Sequence, residues 1–112
     1  MVTPRQFVPD AGDVVWLHFS PQAGHEQAGR RPAVVLSPSS YNAKAGLMLC
    51  CPMTTQVKNY PFEVAMDDGR GGAILSDQVK SVDWRARKAA HKGRVADSTL
   101  AEVRAKVRAL IG

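Results

Sequence analysis

The sequence predicts one mainly β domain, a small twisted β-barrel or curled sheet closed by a C-terminal α-helix. The 112 residues are the length of one ordinary domain spanning residues 1–112. Short runs rich in β-branched and aromatic residues recur between turn residues, as in strands. The last stretch instead spaces its apolar residues as an amphipathic helix does. Several short strands followed by one helix are typical of a small β core with a helix packed on it.

The first two predicted strands flank a long polar loop. Residues 13–19 (DVVWLHF) follow the turn residues 10–12, and residues 32–37 form a second strand with Pro32 tolerable at its first position. The intervening segment, residues 20–31, is twelve residues long. Loops of that length are often functional.

The middle of the chain predicts a turn, a central strand and a hairpin. Residues 38–46 are turn-like, and residues 47–55 form a mostly apolar strand. Residues 60–66 alternate as a half-buried strand does, and residues 67–72 form a turn leading to a returning strand at 73–76.

The last third predicts two short strands and the closing helix. The strands cover parts of residues 79–84 and 91–95. Thr99 and Glu102 have the spacing of a capping box at the start of the helix. The apolar residues that fall on one helical face are Leu100, Val103, Val107, Leu110 and Ile111.

Basic residues concentrate in the same third of the chain. From Lys80 to Gly112 there are nine basic and three acidic residues, so this segment carries +6, whereas residues 1–79 carry −1. A basic segment beside a nearly neutral body predicts an anionic partner. Nucleic acid, an acidic protein segment and a membrane surface all meet that description.

Composition excludes several classes of protein. With 45% hydrophobic residues the chain is not a disordered tail, and it holds no apolar run of the ~18–20 residues that span a bilayer. Residues 1–7 lack the apolar core of a signal peptide. Cys50 and Cys51 would point to opposite faces of a strand, so a disulfide between them would be strained. We therefore expect a cytoplasmic protein with reduced thiols and no membrane partner.

Metal and cofactor sites are not expected. The Cys50–Cys51 pair has no second cysteine pair, and the three histidines are not at ligand spacing. The glycines within residues 69–72 lie between strands, where a hairpin turn explains them better than a phosphate-binding loop.

Adjacent arginines before Pro32 form the first candidate site. Guanidiniums present paired donors that match phosphoryl oxygens, so Arg30 and Arg31 are a candidate phosphate clamp. The alternative is a solubilising loop whose arginines pair with Glu26 at the surface.

Two further segments can support nucleic-acid chemistry. The hydroxyls and amide of residues 52–56 can donate to a phosphate or base edge, or simply satisfy a strand end. Residues 84–94 contain five basic residues beside Trp84, the composition of a groove for single-stranded nucleic acid. The alternatives there are a docking surface for an acidic protein, or a solvated face, and we favour a core position for Trp84.

Eight runs occur together in the order of one known family. In chain order they are Val8–Trp16, Glu26–Pro38, Tyr41-Asn42, Cys51–Gln56, Tyr60–Val64, Asp77–Ser81, Trp84–Arg87 and Leu110–Gly112. Over about residues 8–112 the chain closely resembles the MazF/PemK family of toxin–antitoxin endoribonucleases. The resemblance implies an SH3-like β-barrel of the CcdB/PemK type with short helices, and a homodimer.

The resemblance also implies an activity and partners. A type II toxin of this family cleaves single-stranded mRNA at specific sequences, without metal or cofactor. Attack by the 2′-hydroxyl leaves 2′,3′-cyclic phosphate and 5′-hydroxyl ends. A cognate antitoxin with an acidic, disordered C-terminal segment inhibits the toxin, and the toxin alone does not bind DNA directly.

The family pattern assigns the catalytic pair. The arginine of the Gln-x-Gly-x-Arg-Pro run is Arg31 here, and the first threonine of the Pro-x-Thr-Thr run is Thr54. Glu26 matches a recurrent family position, and we expect it to orient Arg31. His25 is outside the pattern and is expected to be a bystander, although both groups can exchange protons.

The candidate binding residues lie in the polar loops and in the basic last third of the chain. Base selection is expected from the loops, Gln56 and Lys58 being the side chains best able to contact base edges. Asp77 is either a groove residue or a residue with a purely structural role. The candidate RNA-binding residues are Arg30, Thr55, Gln56, Lys58, Asp77, Gln78 and Lys80, and the candidate antitoxin-binding residues are Arg85, Arg87 and Lys88.

Two other functions are compatible with the predicted fold. One is a non-enzymatic gyrase poison of the CcdB type, and the other is a catalytically silent RNA-binding barrel. The Arg31/Thr54 pair favours the ribonuclease. So does the final run Arg108–Gly112, which lacks the tryptophan such poisons use.

Overall fold

The structure, a computed structural model, describes residues 7–19, 29–66 and 71–112. Within these ranges seven strands alternate with two α-helices and a short 3₁₀ turn. The strands are β1 (Asp13–Phe19), β2 (Gly29–Val35), β3 (Leu47–Thr54), β4 (Glu63–Ala65), β5 (Ala73–Leu75), β6 (Lys80–Asp83) and β7 (Ala90–Arg94). The helices are α1 (Ser39–Ala45) and α2 (Asp97–Ile111), and the 3₁₀ turn is Ser76–Gln78.

The strands form one antiparallel sheet in the order β4-β5-β3-β2-β1-β7, with β6 also paired to β3. Cys50 in β3 pairs with Val35 of β2 and with Lys80 of β6, so β3 has partners on both edges. Within the described residues no ladder joins β4 to β7, and the sheet stays open. The mainly β class and the central position of β3 are confirmed, and no ladder among the described strands closes the sheet into a barrel.

Two apolar clusters lie on opposite faces of the sheet because neighbouring strand residues point opposite ways. Val14, Val34 and Cys51 face one cluster, which α2 covers with Leu100, Val103 and Val107. The other cluster contains Val15, Leu17, Val35, Met48, Cys50, Val82 and Trp84.

Both cysteines are free and buried, one in each cluster. Burial disfavours the charged thiolate and raises the pKa of Cys50 to about 11 and that of Cys51 to about 12. The two thiols are therefore structural members of the core. No helix in the described ranges is both long and apolar enough to cross a membrane.

The prediction of a turn over residues 38–46 is wrong, because Ser39–Ala45 form α1. Seven residues are too few to display a helical period in the sequence. The helix ends at Gly46, whose φ of 71° lies in the left-handed region that glycine adopts freely. Buried Asn42 ties it to the rest of the molecule: its side-chain nitrogen donates to the carbonyl of Pro9 at 2.8 Å.

The predicted capping box of α2 is also wrong. The helix begins at Asp97, with Ala96 at the N-cap and no side-chain cap, so Thr99 and Glu102 lie inside it. The carboxylate of Asp97 lies in the first turn, where it complements the helix dipole. Of the predicted apolar face, Leu110 and Ile111 are exposed because the helix extends past the core.

Strand β2 begins at Gly29 rather than at Pro32, so Arg30 and Arg31 are strand residues. They pair with His18 and Leu17 of β1, and this ladder extends the strand into the polar segment. Strand β4 is shorter than predicted, because Glu63 donates its backbone N–H to the carbonyl of Tyr60 in a turn. The predicted β4–β5 hairpin pairing is confirmed. Residues 20–28 of the first loop and 67–70 of the hairpin turn lie outside the described residues.

A cationic groove as candidate active site

A groove of about 860 Å³ brings together residues from five parts of the chain. These parts are β1, β2, the end of β3, residues 75–78, and β6 with the turn after it. Its chemically active lining consists of Arg31, Thr54, Gln78, Lys80, Arg87 and Lys88, with Asp83 as the acidic member. Cations outnumber acids in this lining, which suits a phosphate backbone.

Arg31 and Arg30 point to opposite sides of β2. Arg31 pairs with Leu17 on the buried-cluster side and enters the groove. The guanidinium carbon of Arg30 instead lies 4.9 Å from the ring centroid of Trp16, which also has the Lys92 ammonium at 5.2 Å. The predicted clamp by adjacent guanidiniums is therefore wrong, because strand neighbours cannot serve one phosphate.

Thr54 ends β3 at the floor of the groove. Its Oγ1 accepts a hydrogen bond from the backbone N–H of Gln56 at 3.0 Å. With one lone pair engaged in this way, the hydroxyl hydrogen is available to donate to a bound group.

The turn after β6 places basic residues at the groove. Within it, the backbone N–H of Arg87 donates to the carbonyl of Asp83, and the N–H of Lys88 donates to the carbonyl of Arg85. The turn is attached to β1, since the N–H of His18 donates to the carbonyl of Arg87 at 2.8 Å. Lys88 has a φ of 53°, an uncommon conformation for this residue type.

Arg85 lies apart from Arg87 and Lys88, although the three were predicted together as antitoxin-binding residues. Its guanidinium lies over the Trp84 ring at 4.6 Å and donates to the carbonyl of Ala43 at 3.2 Å. Trp84 itself is buried and donates from Nε1 to the carbonyl of Asn42 at 2.9 Å. The core position expected for Trp84 is confirmed, and Arg85 lies on the α1 side.

The predicted recognition residues fall around one end of the groove. Thr55, Gln56 and Lys58 are exposed on the β3–β4 loop (residues 55–62), which leaves the sheet directly after Thr54. Gln78 and Lys80 line the groove itself.

Asp77 has a structural partner in Tyr60. Its Oδ1 accepts a hydrogen bond from the Tyr60 hydroxyl at 2.8 Å. This bond, with the nearby negative charge, raises the pKa of Tyr60 to about 12. The structural alternative for Asp77 thus has geometric support.

The structure adds His18 and Asp83 to the groove, and sequence analysis selected neither. Asp83 directly precedes the Trp84–Arg87 run, so proximity in sequence was a usable signal. His18 pairs with Arg30, so its side chain lies on the Arg30 face of the sheet, and it contacts the groove residue Arg87 through its backbone N–H and carbonyl. His25 and Glu26 lie outside the described residues.

Among the described residues no group of three or more His, Cys, Asp or Glu side chains is placed to hold a metal ion. Fold and site together define a small, mainly β protein whose cationic groove suits an anionic polymer.

Comparison with known proteins identifies the family. Residues 10–111 match the family model described as the PemK-like, MazF-like toxin of type II toxin–antitoxin systems. The chain belongs to this PemK/MazF toxin family, as its sequence motifs predict.

Individual relatives match over nearly their full length. The chain is 56% identical to the endoribonuclease toxin MazF of Escherichia coli K12, covering 96% of this chain and 97% of the relative. It is 35% identical to the E. coli endoribonuclease toxin ChpB, covering 99% of each. A crystal structure of MazE–MazF (Form-II) from Deinococcus radiodurans superimposes with a TM-score of 0.90 at 52% identity, covering 96% of this chain and 98% of that one.

Proposed function

We infer that the chain is the endoribonuclease toxin of a type II toxin–antitoxin system and that it cleaves single-stranded RNA in the cationic groove. One observation carries this inference: Arg31 and Thr54 come from neighbouring strands and line one groove among further cations. The family, whose members include endoribonuclease toxins, supplies the reaction class.

RNA contains its own nucleophile, so the protein need not supply one. The 2′-oxygen attacks the adjacent phosphorus, its bond to phosphorus forms, and the bond from phosphorus to the 5′-oxygen breaks. The 2′-hydroxyl proton passes to a base and a proton is delivered to the leaving 5′-oxygen. The products are a 2′,3′-cyclic phosphate and a 5′-hydroxyl. The protein must orient these atoms and stabilise the charge that develops on the phosphorane.

Arg31 has the chemistry to stabilise that charge. A guanidinium presents a planar fork of donors to two phosphoryl oxygens. Among the described residues no hydrogen-bond or ion-pair partner of the Arg31 side chain is found, so its donors are available to a substrate. Arg31 can also supply the proton to the leaving oxygen.

Thr54 complements Arg31 as a neutral donor. Because Gln56 N–H occupies one acceptor position of its oxygen, the hydroxyl hydrogen can donate to a non-bridging phosphate oxygen. The attachment to the short Gln56 turn limits the movement of this hydroxyl and so preorganises it.

The group that accepts the 2′-hydroxyl proton has candidates in the first polar loop and in the groove. Glu26 and His25 stay predictions, with Glu26 expected to orient Arg31. Within the described part of the groove, Asp83 is also able to accept a proton. One carboxylate oxygen of Asp83 already accepts from the N–H of Ala86 at 2.9 Å.

We propose a cognate antitoxin with an acidic segment as the protein partner. A 52% identical relative was crystallised as a MazE–MazF complex. Arg87 and Lys88 lie in the same groove as Arg31, so an acidic segment bound to them would compete with RNA.

A homodimer is likewise proposed. Leu47 and Leu49 of β3 are 38% and 43% exposed, between core residues that point the other way. Exposed leucines at alternate strand positions provide the apolar surface that subunit contacts use.

The function is tested by incubating the folded protein with a long single-stranded RNA in EDTA and mapping the cuts. We expect cleavage at a restricted set of sequences, with cyclic-phosphate and 5′-hydroxyl ends.

A Thr54→Val variant is expected to lose about 10²-fold in rate, because it keeps the strand-compatible shape and loses the hydroxyl. Thr54→Ser is the matched control and should retain most activity. Uncut RNA from folded protein would contradict the proposal, and inhibition of DNA gyrase would then be measured.

A second prediction separates the basic residues after β6. Lys88→Asn removes a charge from the groove while tolerating the left-handed backbone at this position, since asparagine adopts it readily. We expect roughly 3- to 10-fold weaker binding of an acidic antitoxin peptide, with the difference shrinking as salt increases. Titration calorimetry at two salt concentrations measures the effect.

Arg85→Gln is the comparison variant for that experiment. It removes the same charge from the α1 side, outside the groove. Equal losses for the two variants would show that position in the groove is irrelevant and that only net charge matters.

A further inference from the structure

The β3–β4 loop is held at several points by side-chain hydrogen bonds, and one of the side chains that make them, Glu63, was not a predicted site residue. Glu63, the first residue of β4, is half-buried and accepts three hydrogen bonds from the loop backbone. Its two carboxylate oxygens lie 3.1 and 3.0 Å from the N–H of Lys58, and Oε1 lies 2.7 Å from the N–H of Asn59. Hydrogen bonds from backbone N–H groups to an ionised carboxylate are stronger than neutral ones.

The backbone conformation of Asn59 is part of this arrangement. Its φ of 60° is left-handed, a conformation that asparagine tolerates and β-branched residues do not. Successive N–H groups at such a position can converge on one anion. The Glu63 carboxylate occupies this position as an internal ligand, so the loop is shaped around it.

Three further contacts attach the loop to the rest of the molecule. The Tyr60 hydroxyl donates to Asp77, the neighbour of the groove residue Gln78. From α2, the ammonium of Lys106 donates to the carbonyl of Pro61 at 2.6 Å. At its start the loop is bound to Thr54 through the Gln56 N–H.

The loop therefore combines a fixed backbone with exposed side chains. Gln56, Val57 and Lys58 are exposed, whereas the backbone N–H groups of Gln56 and Lys58 are hydrogen-bonded to Thr54 and Glu63. A loop ordered before binding loses less conformational entropy when it binds, and it presents its donors and acceptors in one arrangement.

We propose that Glu63 is a specificity-determining positioning residue: its carboxylate holds the β3–β4 loop so that Gln56 and Lys58 contact RNA bases in one register beside the groove. This rests on the proposed function, because RNA is the ligand. Glu63 does not contact the reacting phosphate; it acts through the backbone of Lys58 and Asn59.

The test compares Glu63→Gln with wild-type protein on the best-cut RNA and on RNAs changed at single bases in that site. Glutamine keeps the size of the side chain and one acceptor oxygen, but it loses the charge and the second acceptor. We expect KM to rise about 3- to 10-fold and discrimination between the RNAs to fall by a similar factor. The kcat at saturating RNA should stay within about twofold, since Arg31 and Thr54 are untouched. Amide hydrogen exchange at Lys58 and Asn59 should accelerate.

Two controls distinguish positioning from general effects. Glu102→Gln makes the same charge change on exposed α2 and should leave discrimination unchanged. At Asn59, glycine keeps the left-handed backbone and should preserve discrimination, whereas valine cannot adopt it and should reproduce the loss.

The outcomes separate the two proposals. Wild-type protein that leaves RNA uncut would overturn the proposed function, and the role of Glu63 with it. Wild-type cleavage together with undiminished discrimination in Glu63→Gln would overturn the role of Glu63 alone. A fall in kcat without a change in KM would also overturn it, because the residue would then act on the chemical step.

Discussion

Replacing Arg31 with alanine is expected to lower the rate of RNA cleavage by about 10²- to 10³-fold at saturating substrate. The guanidinium is exposed in the groove, so its removal leaves the core intact while the phosphorane loses its main cationic donor. Arg31→Lys should recover part of the rate, because lysine restores the charge without the planar fork. Single-turnover cleavage of a short RNA measures both variants.

Arg30→Ala is the matched control for this experiment. It removes the same side chain one residue away, but from the opposite face of β2, where Arg30 lies over Trp16. Any effect of Arg30 on RNA affinity should appear in KM and not in the rate at saturation. Equal losses of rate in the two variants would contradict the assignment of the groove as the active site.

Replacing Asn42 with leucine is expected to destabilise the fold by about 3 kcal/mol. The buried side chain accepts from the Ser37 hydroxyl at 2.6 Å and donates to the carbonyls of Pro9 and Ser37 at 2.8 and 3.0 Å. Leucine has a similar size and satisfies none of these groups, so two buried carbonyls lose this donor and the Ser37 hydroxyl loses its acceptor, keeping only the Leu49 N–H as a partner. Urea unfolding measures the change from the transition midpoint at constant slope.

The control for Asn42 lies on the same helix. Ser40 is exposed, and Ser40→Ala should change the free energy of unfolding by less than about 0.5 kcal/mol. A loss below about 1 kcal/mol in Asn42→Leu would show that water or local rearrangement satisfies the abandoned partners.

Strands could be predicted from the sequence wherever apolar residues alternate with polar ones, as in a half-buried strand, or form a continuous run, as in a fully buried strand. Most bounds of β1 and β3 follow from their β-branched and apolar residues, since both strands lie inside the sheet with partner strands on both edges. The start of β2 could not be predicted, because polar residues from Gly29 to Arg31 join the strand through pairing with β1. Hydrogen bonding across strands is a tertiary property that local composition does not encode.

The two helices illustrate the same limit. The apolar spacing of Leu100, Val103 and Val107 predicts the buried side of α2, and the structure confirms it. In contrast, α1 depends on the buried contacts of Asn42 with residues far away in the chain. A seven-residue helix stabilised by tertiary hydrogen bonds carries little helical signal of its own.

For the candidate site, motif order in the sequence was enough to indicate the family, the pairing of Arg31 with Thr54 and the basic character of the last third. These features depend on residue identity and order, which a sequence displays directly. Which basic residues share the groove was decided only by the tertiary structure. Strand alternation sends Arg30 away from Arg31, a tight turn separates Arg85 from Lys88, and Glu63 acts on a loop whose backbone donors no pattern shows. The physical reason is that side-chain direction and backbone pairing arise from register and packing, and these exist only once the chain has folded.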